Sequence, residues 1–140
     1  MSNYLDPTEA QGRALWLRGL QGPVTMLNLI RLRAVADYSA FPDLNPGTPV
    51  SGAEAFDRYV ALTLPMLRAT GGDLTVLGRG GPLLIGPPEE QWDVVMLVRQ
   101  ASVAAFMGFA ADPAYLPVLR HRSAAVADSR LLPFQEVGLP

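Results

Sequence analysis

Residues 92–99 read Trp-Asp-Val-Val-Met-Leu-Val-Arg, the strongest strand signal in the chain. The run is short, β-branched and aromatic, with Pro87-Pro88 breaking the chain before it and Ser102 placed to cap a helix after it. Val103, Phe106, Met107 and Ala110 then share one helical face, and Asp112-Pro113 ends that helix. Pro117 starts a last helix predicted to reach Ala127, and a closing strand is expected over Asp128–Val137, with Leu132 and Phe134 on it.

Working toward the N-terminus, Asp73–Arg79 reads as a strand, Gly78-Arg79-Gly80-Gly81 as a turn, and Pro82–Ile85 as a short extra strand, together a hairpin. Ser51-Gly52-Ala53-Glu54 has the capping-box pattern, and Phe56, Val60, Thr63, Leu64 and Leu67 follow at helical spacing as far as Gly71-Gly72. Glu54 and Arg58 stand four residues apart on its wet side, and Pro65 inside it predicts a kink. Ala34–Val50, with Pro42, Pro46, Gly47 and Pro49, reads as a long loop of the kind that often carries function. Pro23–Arg31 reads as a buried strand. Asp6-Pro7-Thr8-Glu9 reads as the start of an N-terminal helix running to about Arg18, capped by Asp6.

The order is therefore β-α-β-β-α-β, the α+β ferredoxin-like pattern with an antiparallel sheet, plus an extra N-terminal helix. Helices in that pattern cover one face of the sheet. The strands here are near-continuous apolar runs, which implies burial on both faces. A second copy is the simplest cover, because closed two-fold dimers are the commonest assembly. The expectation is a homodimer with facing sheets, one domain over residues 1–140, with 1–22 a helical extension and 23–137 the ferredoxin-like body.

Composition narrows the chemistry. The chain has 140 residues, no cysteine, one histidine and 11 basic residues, all of them arginine. Disulfides, thiolate metal sites and a cysteine nucleophile are excluded, as are a lysine Schiff base and a P-loop lysine. No metal and no cofactor are expected. The net charge of -2 and the lack of a basic run argue against nucleic acid. No apolar window reaches a membrane span of about 20 residues, and Met1–Asp6 does not resemble a signal peptide, so a cytoplasmic protein is expected.

MLNLIRLR, SGAEAFDRYV, GGDLTVLGRGGPLLIG and WDVVMLVRQASVAAFMGFAADPAYLPVLRHRSAAVADSRLLP together resemble the domain of unknown function 1330 family over about residues 23–135. The Asp112–Tyr115 turn and the run from His121 are the most specific parts. The resemblance implies the dimeric α+β barrel superfamily. Its relatives include cofactor-free monooxygenases, lactone isomerases and haem-dependent enzymes.

Six side chains stand out as site candidates. On a 3.6 period from Tyr115, Arg122 falls in the middle of the apolar face of the last helix, where a cation needs a partner or an anionic ligand. Asp93 and Asp128 are its candidate structural partners. His121 is the one side chain titrating near neutrality, a candidate acid–base and the only possible proximal haem ligand, although no haem is expected. Tyr59 offers a phenol near the apolar face of the first long helix. Asn28 interrupts an apolar strand and must bond a loop or a ligand. Arg31 ends that strand, and Asp93 sits on the alternation opposite Trp92. His121 and Tyr59 are therefore read as catalytic, and Arg122, Asn28, Arg31 and Asp93 as ligand-binding. The functions left open are cofactor-free acid–base or oxygenase-type chemistry on a small oxygenated compound, non-catalytic ligand binding, and an interaction module.

Overall fold

A computed structural model describes residues 3–140. Four antiparallel strands, β1 (Val24–Leu32), β2 (Asp73–Pro82), β3 (Gln91–Gln100) and β4 (Val126–Phe134), lie in the order β2-β3-β1-β4. Helix α2 (Gly52–Ala69) crosses from β1 to β2, and α3 (Val103–Ala111) with α4 (Leu116–Ala125) crosses from β3 to β4. This is the βαββαβ ferredoxin-like arrangement, with α1 (Glu9–Leu17) added in front.

Register divides the sheet into two unlike faces. Ile30 pairs with Val94 and Ser129, and Asn28 with Met96. The even-numbered residues of β1 and β3 therefore share a face. Val24, Met26, Ile30 and Met96 are buried on it. Ile30 and Met96 pack with Phe56 of α2 and Ala124 and Ala125 of α4, and Val24 and Met26 with Val103 of α3. The odd-numbered set, Leu27, Leu29, Val95 and Leu97 with Leu132 of β4, points the other way. Leu132 is exposed and the other four are only half-buried, and no helix residue of the core clusters packs on them.

The caps follow local chemistry. Ser51 Oγ accepts the Glu54 N–H at 3.0 Å and Ser102 Oγ the Ala105 N–H at 2.9 Å. Glu54 and Arg58 form no ion pair among the described residues. Gly52 occupies the first turn of α2 because a Cβ there would lie 2.0 Å from the Arg33 carbonyl oxygen. The long loop folds back by joining Val35 to Ser51 in a bridge and Asp37 N–H to Ala124 O, which lays Tyr38 and Leu44 on the core.

Four expectations are corrected. Gly78–Gly81 is not a turn, for β2 runs straight through it. A Cβ on Gly80 would lie 2.4 Å from Trp92 O, so this glycine serves close approach of β2 and β3. The extra strand at Pro82–Ile85 is accordingly absent: the chain turns after Pro82, leaving Leu84 99% and Ile85 92% exposed. The first helix is capped by Thr8 rather than Asp6. Thr8 Oγ1 accepts the Gln11 N–H, and Gln11 reaches back to the Thr8 N–H, a pairing that Glu9 could not make from its position. The last helix stops at Ala125, because Val126 already pairs with Leu32 in the sheet.

Candidate functional site

The α2–α4 layer gathers the polar groups that matter. Tyr115 precedes the first turn of α4, which puts it two turns before Arg122 on the same side of the helix. His121 turns instead toward the long loop.

His121 Nδ1 lies 2.8 Å from the hydroxyl of buried Tyr38, with the two rings edge-to-face at 5.6 Å. Burial, and secondarily the Arg58 guanidinium, holds the imidazole below its ordinary pKa. It is therefore neutral at pH 7, one nitrogen engaged by a phenol. Proximal haem histidines are aligned by a carboxylate, carbonyl or water on the second nitrogen. The Tyr38 phenol does not fit that role. Tyr38 also lines a recess of about 320 Å³ walled by Val35, Ala36 and the Asn45–Val50 segment.

The Tyr59 and Tyr115 hydroxyls meet at 2.5 Å. Burial, reinforced by Tyr59, pushes the Tyr115 phenol far above its usual range. Tyr115 is therefore neutral at every physiological pH. Phe109 packs on Tyr115 at 4.4 Å between ring centroids and Phe56 on Tyr59 at 5.6 Å. Thr63 Oγ1, one turn along α2 from Tyr59, is buried with no hydrogen-bond partner.

Arg122 pairs with neither Asp93 nor Asp128, which corrects that expectation. Its guanidinium donates to Leu5 O at 2.7 Å and to Ser129 Oγ at 3.2 Å. Both acceptors are neutral. Asp128 instead accepts from Tyr4 N–H at 2.8 Å, from its neighbour's Ser129 N–H at 2.9 Å and from Arg130 at 2.8 Å, with Arg31 at 3.8 Å. Burial raises this carboxyl, but the Tyr4, Arg130 and Ser129 donors together outweigh it and leave the pKa lowered. Arg130 is sandwiched between the Tyr4 and Trp92 rings, 4.8 and 5.0 Å from their centroids.

The remaining candidates are engaged close to home. Asn28 Nδ2 donates to Met26 O at 3.1 Å, and Asp93 Oδ2 accepts the Leu32 N–H at 2.7 Å rather than an arginine. Thus α4 brings His121 and Arg122 near Tyr38 and Tyr115, while Arg31 and Asp93 lie in bonds that hold the end of β1. Among the described residues, no group of three or more His, Asp and Glu is gathered for a metal. No helix of those residues is long and apolar enough to cross a membrane.

Sequence reasoning missed Tyr38 and Ser129 as polar partners. Tyr38 lies in a loop with no periodicity to place it. Ser129 follows a bulge at Arg31/Leu32 that sets the β4 register.

No family model matches the chain, and no curated protein does. Solved structures do. The methylated RPA0582 protein is 38% identical, over 99% of this chain and 98% of that one, with a TM-score of 0.82. The RPA0582 protein of unknown function from Rhodopseudomonas palustris is 36% identical, over 99% of this chain and 100% of that one, also at 0.82. SnoaB, a cofactor-independent oxygenase from Streptomyces nogalater, is far more distant, 15% identical over 85% of this chain and 97% of that one, at 0.49. With the full length matched at these identities, the chain belongs to the family of the Rhodopseudomonas palustris RPA0582 protein.

Proposed function

We propose that this protein is a homodimer that moves a proton on a small oxygenated organic compound, with His121 as the base and no cofactor. The observation that carries the reading is the half-buried, neutral imidazole fixed through Nδ1 by the Tyr38 hydroxyl. A neutral histidine held in one orientation is ready to accept a proton at pH 7. The free Nε2 takes a proton from a carbon beside a carbonyl, and the same nitrogen returns it to the product. The step is redox-neutral. The paired Tyr59 and Tyr115 phenols supply hydrogen-bond donors on the same layer, and Asn28 lies on the sheet face turned toward the helices.

The dimer rests on the open sheet face, where Leu27, Leu29, Val95, Leu97 and Leu132 lie together without a helix over them. A second copy of the same face is the occupant that matches an apolar, self-complementary surface. The same reading takes the chain as one domain, a cytoplasmic member of the domain of unknown function 1330 family.

Non-catalytic ligand binding is the second reading. It is favoured by Arg122, a half-buried guanidinium whose acceptors, Leu5 O and Ser129 Oγ, are both neutral. A thermal-shift screen of small acids, quinones and lactones, followed by turnover assays on each hit, separates the two. Turnover that falls at least about a hundredfold in His121→Asn supports proton transfer. Hits that bind without turnover, or turnover indifferent to His121→Asn, support binding alone.

A further inference from the structure

The N-terminal segment lies against α4 and β4, and its grip is unusual. Tyr4 N–H donates to Asp128, Tyr4 O accepts from Ser129 Oγ at 2.6 Å, and Leu5 O accepts from Arg122 at 2.7 Å. The Tyr4 ring lies on Arg130, and the Leu5 side chain packs against the Ile30–Val126 core cluster. Every one of these polar bonds runs between strap backbone and a side chain. Among the described residues, no backbone ladder joins the strap to β4. Beyond it, α1 buries no residue completely, and Tyr4 itself is exposed. A segment held by three such bonds is drawn from the low-stability end of a structure.

What lies beneath the strap is a half-buried guanidinium with no carboxylate among the described residues that forms an ion pair with it. Its present acceptors, a carbonyl and a hydroxyl, are neutral. A carboxylate in the place of Leu5 O would make charge-assisted bonds to Arg122 and take the Ser129 hydroxyl as a further donor, a stronger pairing than the one it displaces. Apolar surface from Leu5's seat on the core would receive the rest of the ligand.

We propose that Arg122 and Ser129 form a binding site for a small apolar carboxylate, and that residues Tyr4–Asp6 are a self-ligand that closes it until the acid displaces them. The site is gated: the acid binds only molecules with the strap lifted, so its apparent affinity is the intrinsic affinity scaled by the open fraction. The proposal stands apart from proton transfer at His121 and holds whether or not that histidine turns over a substrate.

Benzoate is the probe, used on the full chain. Calorimetry measures its affinity, and amide exchange of Tyr4 measures the strap. Benzoate should accelerate Tyr4 N–H exchange as it saturates. The double variant Tyr4→Ala, Leu5→Ser, which keeps the whole chain but removes both side-chain anchors, should bind benzoate about tenfold more tightly. Arg122→Met in that background should abolish binding. If Arg122→Met does not fold, Ser129→Ala should weaken binding severalfold in its stead. The proposal is overturned if the loosened variant binds benzoate no better than the parent, if neither binds it, or if benzoate saturates while Tyr4 exchange stays unchanged. None of these results touches His121→Asn turnover, so the failure of one reading is distinguishable from the failure of the other.

Discussion

The two faces of one sheet are built from the same kind of side chain and differ in what covers them. On the helix face, Ile30 and Met26 are buried among α2, α3 and α4. One residue away, Leu29 and Leu27 are half-buried with no helix on them. Alternation in a strand normally separates apolar from polar. Here both alternations are apolar, the pattern that the proposed dimer accounts for with a second copy over the open face. The lesson is that hydrophobicity within a strand reports total burial in the working assembly, and the excess over what the protomer covers measures what is still to be covered.

An arginine placed on either side of β3 separates the two faces most sharply. Met96→Arg puts an unpaired charge under the helices and should prevent folding. Leu97→Arg should leave the protomer folded but strip the dimer, because an uncompensated charge in an apolar interface costs about 3–5 kcal/mol. Light scattering on the parent should give twice the 15.0 kDa chain mass, and on Leu97→Arg that mass itself. A parent that is monomeric at micromolar concentration removes the second copy from the open face.

A milder pair refines the same contrast. Ile30→Ala should cost about 2–5 kcal/mol of stability, as large-to-small changes in closed cores do. Leu29→Ala should cost much less in the unfolding of the protomer and should weaken dimerisation instead. Chemical denaturation across a range of protein concentrations reads both. Equal losses at the two positions, independent of concentration, would mean that the faces are energetically alike.

Much of this division was legible beforehand. The element order, the caps at Ser51 and Ser102 and the double-sided apolar strands follow from periodicity, and periodicity reports burial. Gly78–Gly81 misled because glycine serves both turns and close strand approach, and only the Trp92 carbonyl across the sheet distinguishes them. The site was less legible. Arg122 broke the helical pattern visibly, but its partners, Leu5 O and Ser129 Oγ, lie 117 and seven residues away. Tyr38 reaches His121 across 83 residues from a loop with no repeating pattern. Long-range polar pairs depend on tertiary geometry, which no local spacing encodes.

Asp128 sits where the sheet meets the strap and tests whether that edge is held by charge. Asp128→Asn should cost roughly 1.5–3 kcal/mol, the worth of hydrogen bonds to a charged group. Its folded pKa is lowered from 3.8, so the ionised form is favoured by folding. That stability is complete above the unfolded pKa and is lost as pH falls through the folded one. Acid unfolding of the parent should therefore steepen below about pH 4, and the variant should lack this component. An unchanged acid limb in Asp128→Asn would assign the steepening to other carboxylates.

The smallest effect belongs to His121, on the other flank of α4, and it is the cleanest to observe because the chain contains one histidine. Its ring should titrate below 6.5, since burial first and Arg58 second disfavour the cation. A depressed folded pKa means that the stability this ring contributes is full above 6.5 and disappears as pH falls through the folded value. Removing the charge in Arg58→Gln should move the titration partway back, and Tyr38→Phe should free Nδ1 at a cost of about 1 kcal/mol, a single neutral hydrogen bond. Ring-proton NMR follows each variant with no competing signal. If Arg58→Gln leaves the midpoint where it was, desolvation alone sets it. If the parent ring titrates at or above 6.5, His121 is cationic through much of the range in which a base is needed, and the proton-transfer reading loses the observation that carries it.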